Sequence, residues 1–121
     1  MSYPTHLSHK PIIVVDDYVK IDACGSFDAK ALSIGKAQWD NNDISAKIFR
    51  HTRSRWSRQS EELPMSRVLD LAEFIIGTIL NKPTSLGEQV IDPSSKQLVD
   101  DYINANRRML LDKIDKIKDL L

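Results

Sequence analysis

Between Lys47 and Arg58 the chain carries five cations, Lys47, Arg50, Arg53, Arg55 and Arg58, and no acid. Phe49, His51 and Trp56 are interleaved with them. Cations spaced along a track neutralise phosphates, and flat rings give exposed bases a surface to stack on, at roughly 1–3 kcal/mol per base. Lys36 joins this set on a neighbouring strand. The pattern points to a non-enzymatic module that binds single-stranded nucleic acid through Lys36, Lys47, Phe49, Arg50, His51, Arg53, Arg55, Trp56 and Arg58. The bland alternative is a solvated sheet face with Trp56 capping the core. Glu61 and Glu62 follow at once, and acids there suit the first turn of a helix.

Elements to hold these residues are legible on either side. Residues 1–10 read as a loose polar arm. Ile12, Ile13, Val14 and Val15 form a short β-branched run that suits a buried strand. "AKALSIGKAQW" and "ISAKIFRHT" flank the polar "DNND" and read as a hairpin. With a two- or four-residue loop, Leu32, Ile34, Lys36 and Gln38 share a face with Ser45, Lys47, Phe49 and His51. Lys36 then faces Lys47, a repulsion that a bound phosphate would relieve. Ala31, Ser33, Gly35, Ala37, Trp39, Ile44, Ala46, Ile48 and Arg50 take the other face, assigned to the core beneath a helix. A third strand is expected through Trp56, Ser57 and Arg58. Met65, Val68, Leu69, Ala72, Ile75, Ile76 and Ile79 recur at helical spacing, with Pro64 in the first turn and Asn81 and Pro83 at the end. Gly77, costly inside a helix, suggests a close helix crossing. Asp92 and Pro93 open a final helix over 94–120, whose stripe of Val99, Ile103, Asn106, Leu110, Ile114, Ile117 and Leu121 suits docking or dimerisation.

The fold expected is therefore α+β: an antiparallel sheet of about four strands, one packed helix and a long C-terminal helix. At 121 residues, one domain is expected, with 11–80 as sheet plus helix. The 17 cations balance 17 anions, which argues against a uniformly basic surface but allows a local patch. Cys24 is the only cysteine, so no internal disulfide forms and a reducing cytoplasm fits. The N-terminus has no apolar signal core, and "FIIGTIL" is too short to cross a bilayer.

The order of elements resembles the single-stranded-DNA-binding domain of the positive-cofactor-four type, through "AKALSIGKAQW", "DISAKIFRHT" and "SRVLDLAEFIIGTI". That resemblance implies a curved antiparallel sheet, a following helix and pairing of two copies. "DAKALSIGKAQWD", "SAKIFRHT" and "WSRQSEELPMSRVLDLA" are also similar to a family of short bacterial proteins of unknown function, over most of residues 11–76.

Other chemistry is weaker. Glu61 or Glu62 with His51 would make an acid/base pair, but nothing in the sequence builds a pocket, so catalysis is the lesser reading. His6 and His9 read as flexible surface residues rather than metal ligands. Asp16 and Asp17 point to opposite faces of a strand. Cys24 has no nearby His to activate it. No dinucleotide or phosphate-loop fingerprint occurs, and no cofactor is expected. The second functional reading is a protein-interaction or regulatory module that acts through the C-terminal helix as a homodimer.

Overall fold

Alternation of small and larger side chains from Ala29 onward builds a strand, and a polar turn sends the chain back along it. In the computed structural model, which describes residues 3–25 and 27–121, these are β2 (Ala29–Ala37) and β3 (Asp40–Thr52). They pair antiparallel, with β1 (Lys10–Val15) on the far side of β2. Two short strands complete the sheet on β3: β4 (Arg55–Trp56) against His51 and Thr52, and β5 (Glu62–Pro64) against Ser45 to Lys47. Helix α1 (Met65–Leu80) follows, then α2 (Lys96–Ala105) and α3 (Arg107–Lys118). The class is α+β, as expected.

The turn differs from expectation, and much follows from it. Gln38 and Trp39 make the hairpin loop. The Asp/Asn run instead forms an irregularity at the start of β3, where Ala37 pairs with Asp40 but Lys36 pairs with Ile44. Local bonds hold it: Asn42 N–H donates to Asp40 Oδ1 at 2.9 Å, and Trp39 Nε1–H donates to Asp43 Oδ2 at 2.7 Å. The pairing is displaced by three residues from the expected register, an odd number, and side chains alternate with period two, so the faces exchange. Lys47 therefore stands opposite Ser33, and Lys36 opposite Ile44.

One face now holds Ala31, Ser33, Ala37, Ser45, Lys47 and Phe49, all buried. The arm covers it. Leu7 packs with Ala31 and Phe49, and Tyr3 and Trp56 lie against that cluster. The segment expected to be loose is thus docked through Pro4, Leu7 and His9, which are buried, while Thr5, His6, Ser8 and Lys10 stay exposed. Small residues make room for it. A Cβ on Gly35 would collide with the Lys10 carbonyl and Pro11 Cα, so only glycine lets β1 approach there. The other face is aliphatic: Ile13 pairs with Ile34, Val15 with Leu32, Leu32 with Ile48, and Ala46 with Leu63. Ile12, Ile13 and Val15 were expected in a buried strand, but all three are exposed on this edge strand.

Contacts divide the chain into two compact units, Met1–Val68 and Leu69–Leu121, where the sequence reading treats it as one domain. In the second unit, Asn81 takes a positive φ of 55° after the last turn of α1, the usual way a helix stops. Lys82 N–H then donates back to the Gly77 carbonyl at 2.9 Å. Gly77 is small because the returning loop, not a second helix, sits against it: a Cβ would meet Thr84 Cγ2 and the Lys82 carbonyl. The long C-terminal helix is two helices. At Asn106 the backbone leaves the helical region (φ −114°, ψ 14°), and Asn106 Nδ2 donates to the Tyr102 carbonyl at 2.9 Å. A side chain bonded into the helical ladder is a recognised cause of such a break.

Candidate functional site

The register decides where the nine expected nucleic-acid contacts lie. Phe49 is fully buried, edge-on to His9 and Trp56 at ring separations of 5.6 and 6.2 Å. The Lys47 side chain is 1% exposed, donates to the Ser60 carbonyl at 3.1 Å and lies 3.7 Å from Glu62 Oε1. Arg50 is clasped from two sides. Its Nη1 donates to Asp28 at 2.9 Å, while Nε and Nη2 donate to Glu61 at 2.8 and 2.7 Å. That fork holds the Glu61 carboxyl down at about 2 and raises the guanidinium. Lys36 is exposed on the aliphatic face, paired with Ile44. It stands seven residues along β2 from Ala29, the partner of Arg50, or roughly 20 Å at the usual strand rise.

The remaining residues do gather. His51 packs edge-on to Trp56 at 4.9 Å, and both rings are half-buried. Arg53 turns the chain at φ 56°, and Arg53, Arg55 and Arg58 are exposed. The structure thus brings His51, Arg53, Arg55 and Trp56 to one end of the sheet. It withdraws Lys47 and Phe49 into the interior and places Lys36 elsewhere.

Beneath the arm lies a polar network that the sequence reading does not contain. His9 Nε2 is 2.8 Å from Ser33 Oγ, and Nδ1 is 2.9 Å from Ser45 Oγ and 3.3 Å from Glu62 Oε2. Ser45 Oγ–H donates to Glu62 Oε2 at 2.7 Å, as does Gln38 N–H at 2.9 Å. A hydroxyl has one proton. With that of Ser45 given to the carboxylate, the bonding pattern assigns the imidazole proton to Nδ1 and leaves Nε2 to accept from Ser33. Burial holds His9 and Lys47 below their ordinary pKa values, against the pull of Glu62. Burial also pushes the Glu62 carboxyl up, but the bonds from Ser45, Gln38 and His9 outweigh it and the net shift is downward.

The side chains of His9, Lys47 and Glu62 are no more than 1% exposed, so solvent and solutes do not reach their reactive atoms. Their arrangement binds the arm to the sheet. Glu62 sits in β5 rather than opening a helix, and Pro64 ends that strand. The signal available in sequence is slight: Leu7 and His9 are two apart, the spacing of one face of an extended segment.

Among the described residues no group of His, Cys, Asp and Glu is placed to hold a metal ion. Cys24 is free and exposed. No helix among the described residues is long and apolar enough to cross a membrane. The open aliphatic face encloses a hollow of about 520 Å³, lined by residues such as Val15, Leu32, Ile34, Ile48 and Leu63. No curated protein and no solved structure matches the chain. The model of a family of unknown function (DUF6530) matches residues 1–101, and the chain belongs to that family.

Proposed function

We propose that this chain is a small non-enzymatic protein-interaction module that acts as a homodimer in the cytoplasm, with its C-terminal helices as a contact element. The observation that carries this reading is the apolar surface of α2 and α3. Leu98 is 73% exposed and Tyr102 58%, with Val99 exposed beside them on α2, and Ile117 of α3 and the following Leu120 and Leu121 are exposed as well. Contiguous apolar surface rimmed by charge marks association surfaces in soluble proteins. Here the rim includes the i,i+4 pairs Lys96–Asp100 and Lys116–Asp112. Such a stripe pairs with a second copy without placing like charges in its centre.

Sedimentation of the full chain tests this. The expected species has about twice the 13.8 kDa of one chain. Removing residues 94–121 weakens association by about tenfold or more. A full chain that stays monomeric at high micromolar concentration overturns the reading.

Single-strand nucleic-acid binding is the second reading, and one observation favours it. Arg53, Arg55 and Arg58 form no ion pair among the described residues and lie next to the half-buried Trp56. On this reading a labelled oligonucleotide binds, its affinity falls steeply with salt, and Arg55→Ala with Arg58→Ala reduces it. Absence of binding at low salt removes it.

A further inference from the structure

Two buried side-chain atoms, Ser60 Oγ and Glu62 Oε1, have no hydrogen-bond partner among the described residues. Ser60 is 8% exposed and the Glu62 side chain 1%. The Glu62 carboxylate is used unevenly. Its Oε2 accepts from Ser45 Oγ–H, the Gln38 N–H and His9 Nδ1–H. Its Oε1 faces Lys47 Nζ at 3.7 Å, which is beyond hydrogen-bond range. Lys47 has protons to spare, since an ammonium carries three and one goes to the Ser60 carbonyl at 3.1 Å.

These groups lie close together. Lys47 Nζ sits beside both Glu62 Oε1 and the carbonyl of Ser60. Ser60 and Glu62 line the same notch, with Gln38, Gln59, Glu61 and Leu63. Gln38 and Gln59 are exposed on its outer wall. All of these residues belong to the Met1–Val68 unit.

Charge limits what the inner end of the notch can take. A cation there would meet the Lys47 ammonium, and an anion would meet the Glu62 carboxylate. A neutral molecule that accepts from Lys47 and donates to Glu62 satisfies both. Water does this and still has capacity for the Ser60 hydroxyl, and three bonds is the usual number for a buried water. An ion pair slightly too long for a direct bond is also where a bridging water belongs. Without it, the hydroxyl and Oε1 give up their hydration on folding and receive no bond in return.

We infer that this chain binds one internal water molecule, held by Lys47 Nζ, Glu62 Oε1 and Ser60 Oγ. The water is trapped as the chain folds and is distinct from the bulk solvent that the network excludes. It ties β3 to the segment entering β5. Both oxygens of Glu62 are then engaged, Oε2 with the arm and hairpin and Oε1 with the water. This goes beyond the homodimer reading and is independent of it.

A high-resolution crystal structure of the full chain tests it. One water peak is expected within about 2.6–3.2 Å of all three atoms. The absence of a peak overturns the inference, as does an ion in its place or Lys47 Nζ bonded directly to Glu62 Oε1. In solution, oxygen-17 relaxation dispersion compares the wild type with Ser60→Ala. Loss of one of three bonds shortens the residence time of one long-lived water by roughly fivefold, while Gln59→Ala, on the outer wall, leaves it unchanged. Equal dispersion from the wild type and Ser60→Ala, or an equal effect of Gln59→Ala, overturns the three-partner site. Should Ser60→Ala fail to fold, the wild-type crystal structure decides alone; should no crystal grow, the dispersion decides.

Discussion

On one face of the β2–β3 hairpin Ala31, Ser33, Ala37, Ser45 and Lys47 are buried around Phe49; on the other, Ile34 is exposed and Leu32 and Ile48 are only half-buried. Hydrophobicity alone would reverse that choice. The small residues prevail because a short extended segment, the arm, can lie close on Ala31, Ser33, Gly35 and Ala37, whereas Leu32, Ile34 and Ile48 need a bulkier and flatter cover. The buried face tolerates ions because they come with partners: Lys47 with Glu62, and Glu62 with Ser45, His9 and a backbone N–H. A buried ion pair is weak as a source of net stability but costly to break from one side. The buried face thus fixes the arm to the sheet.

Breaking the buried face has the largest expected effect. Glu62→Ala leaves the Lys47 ammonium and His9 without their carboxylate and costs about 3–5 kcal/mol in denaturant unfolding. Phe49→Ala empties the core under the arm and costs a similar 3–5 kcal/mol by the same measurement. A loss under 1 kcal/mol for both would mean the arm is not docked as described.

Acidification gives the next effect. The folded chain holds His9 below the ordinary histidine value of 6.5, so the unfolded chain takes up the proton first. Stability then falls as the pH drops below about 6.5, with a slope of at most about 1.4 kcal/mol per pH unit from this one group. His9→Asn flattens that part of the pH–stability curve, and an unchanged slope would show that His9 is not buried neutral. Glu62 works in a lower window: its depressed value gives stability present above the ordinary 4.5 and lost as pH falls below it.

The exposed end of the network has the smallest effect. Glu61 is held at about 2 by Arg50, but its side chain is 51% exposed and solvent screens the pair. Glu61→Gln costs no more than about 1 kcal/mol. A larger loss of fold stability than Glu62→Ala gives would invert the comparison.

Much of the architecture is written locally. The strands of the hairpin follow from their alternation, α1 from its apolar spacing, its stop from Asn81, and the return to helix from Asp92 and Pro93, which cap the 3-10 turn before α2. These depend on residues a few positions apart, where backbone preference and period speak directly. Register does not. "QWDNND" offers two places to turn, and turning at Gln38–Trp39 with an irregularity in the Asp/Asn run displaces the pairing of β3 by three residues, an odd number. That displacement carries Lys47 and Phe49 from an expected nucleic-acid surface into the interior. The break at Asn106 is similarly hidden, since asparagine is tolerated within a helix and only its bond to the Tyr102 carbonyl shows the interruption.

The sequence by itself determined the α+β class, the order of the main elements and the presence of a basic, aromatic segment in mid-chain. The tertiary structure alone decided which side of the sheet is inside. His9, Ser33, Ser45 and Glu62 are separated by up to 53 positions, and no local preference announces that they share one buried network. An ionisable side chain reads as surface until its partners are in place, because burial is favourable for the assembled group and costly for each member alone.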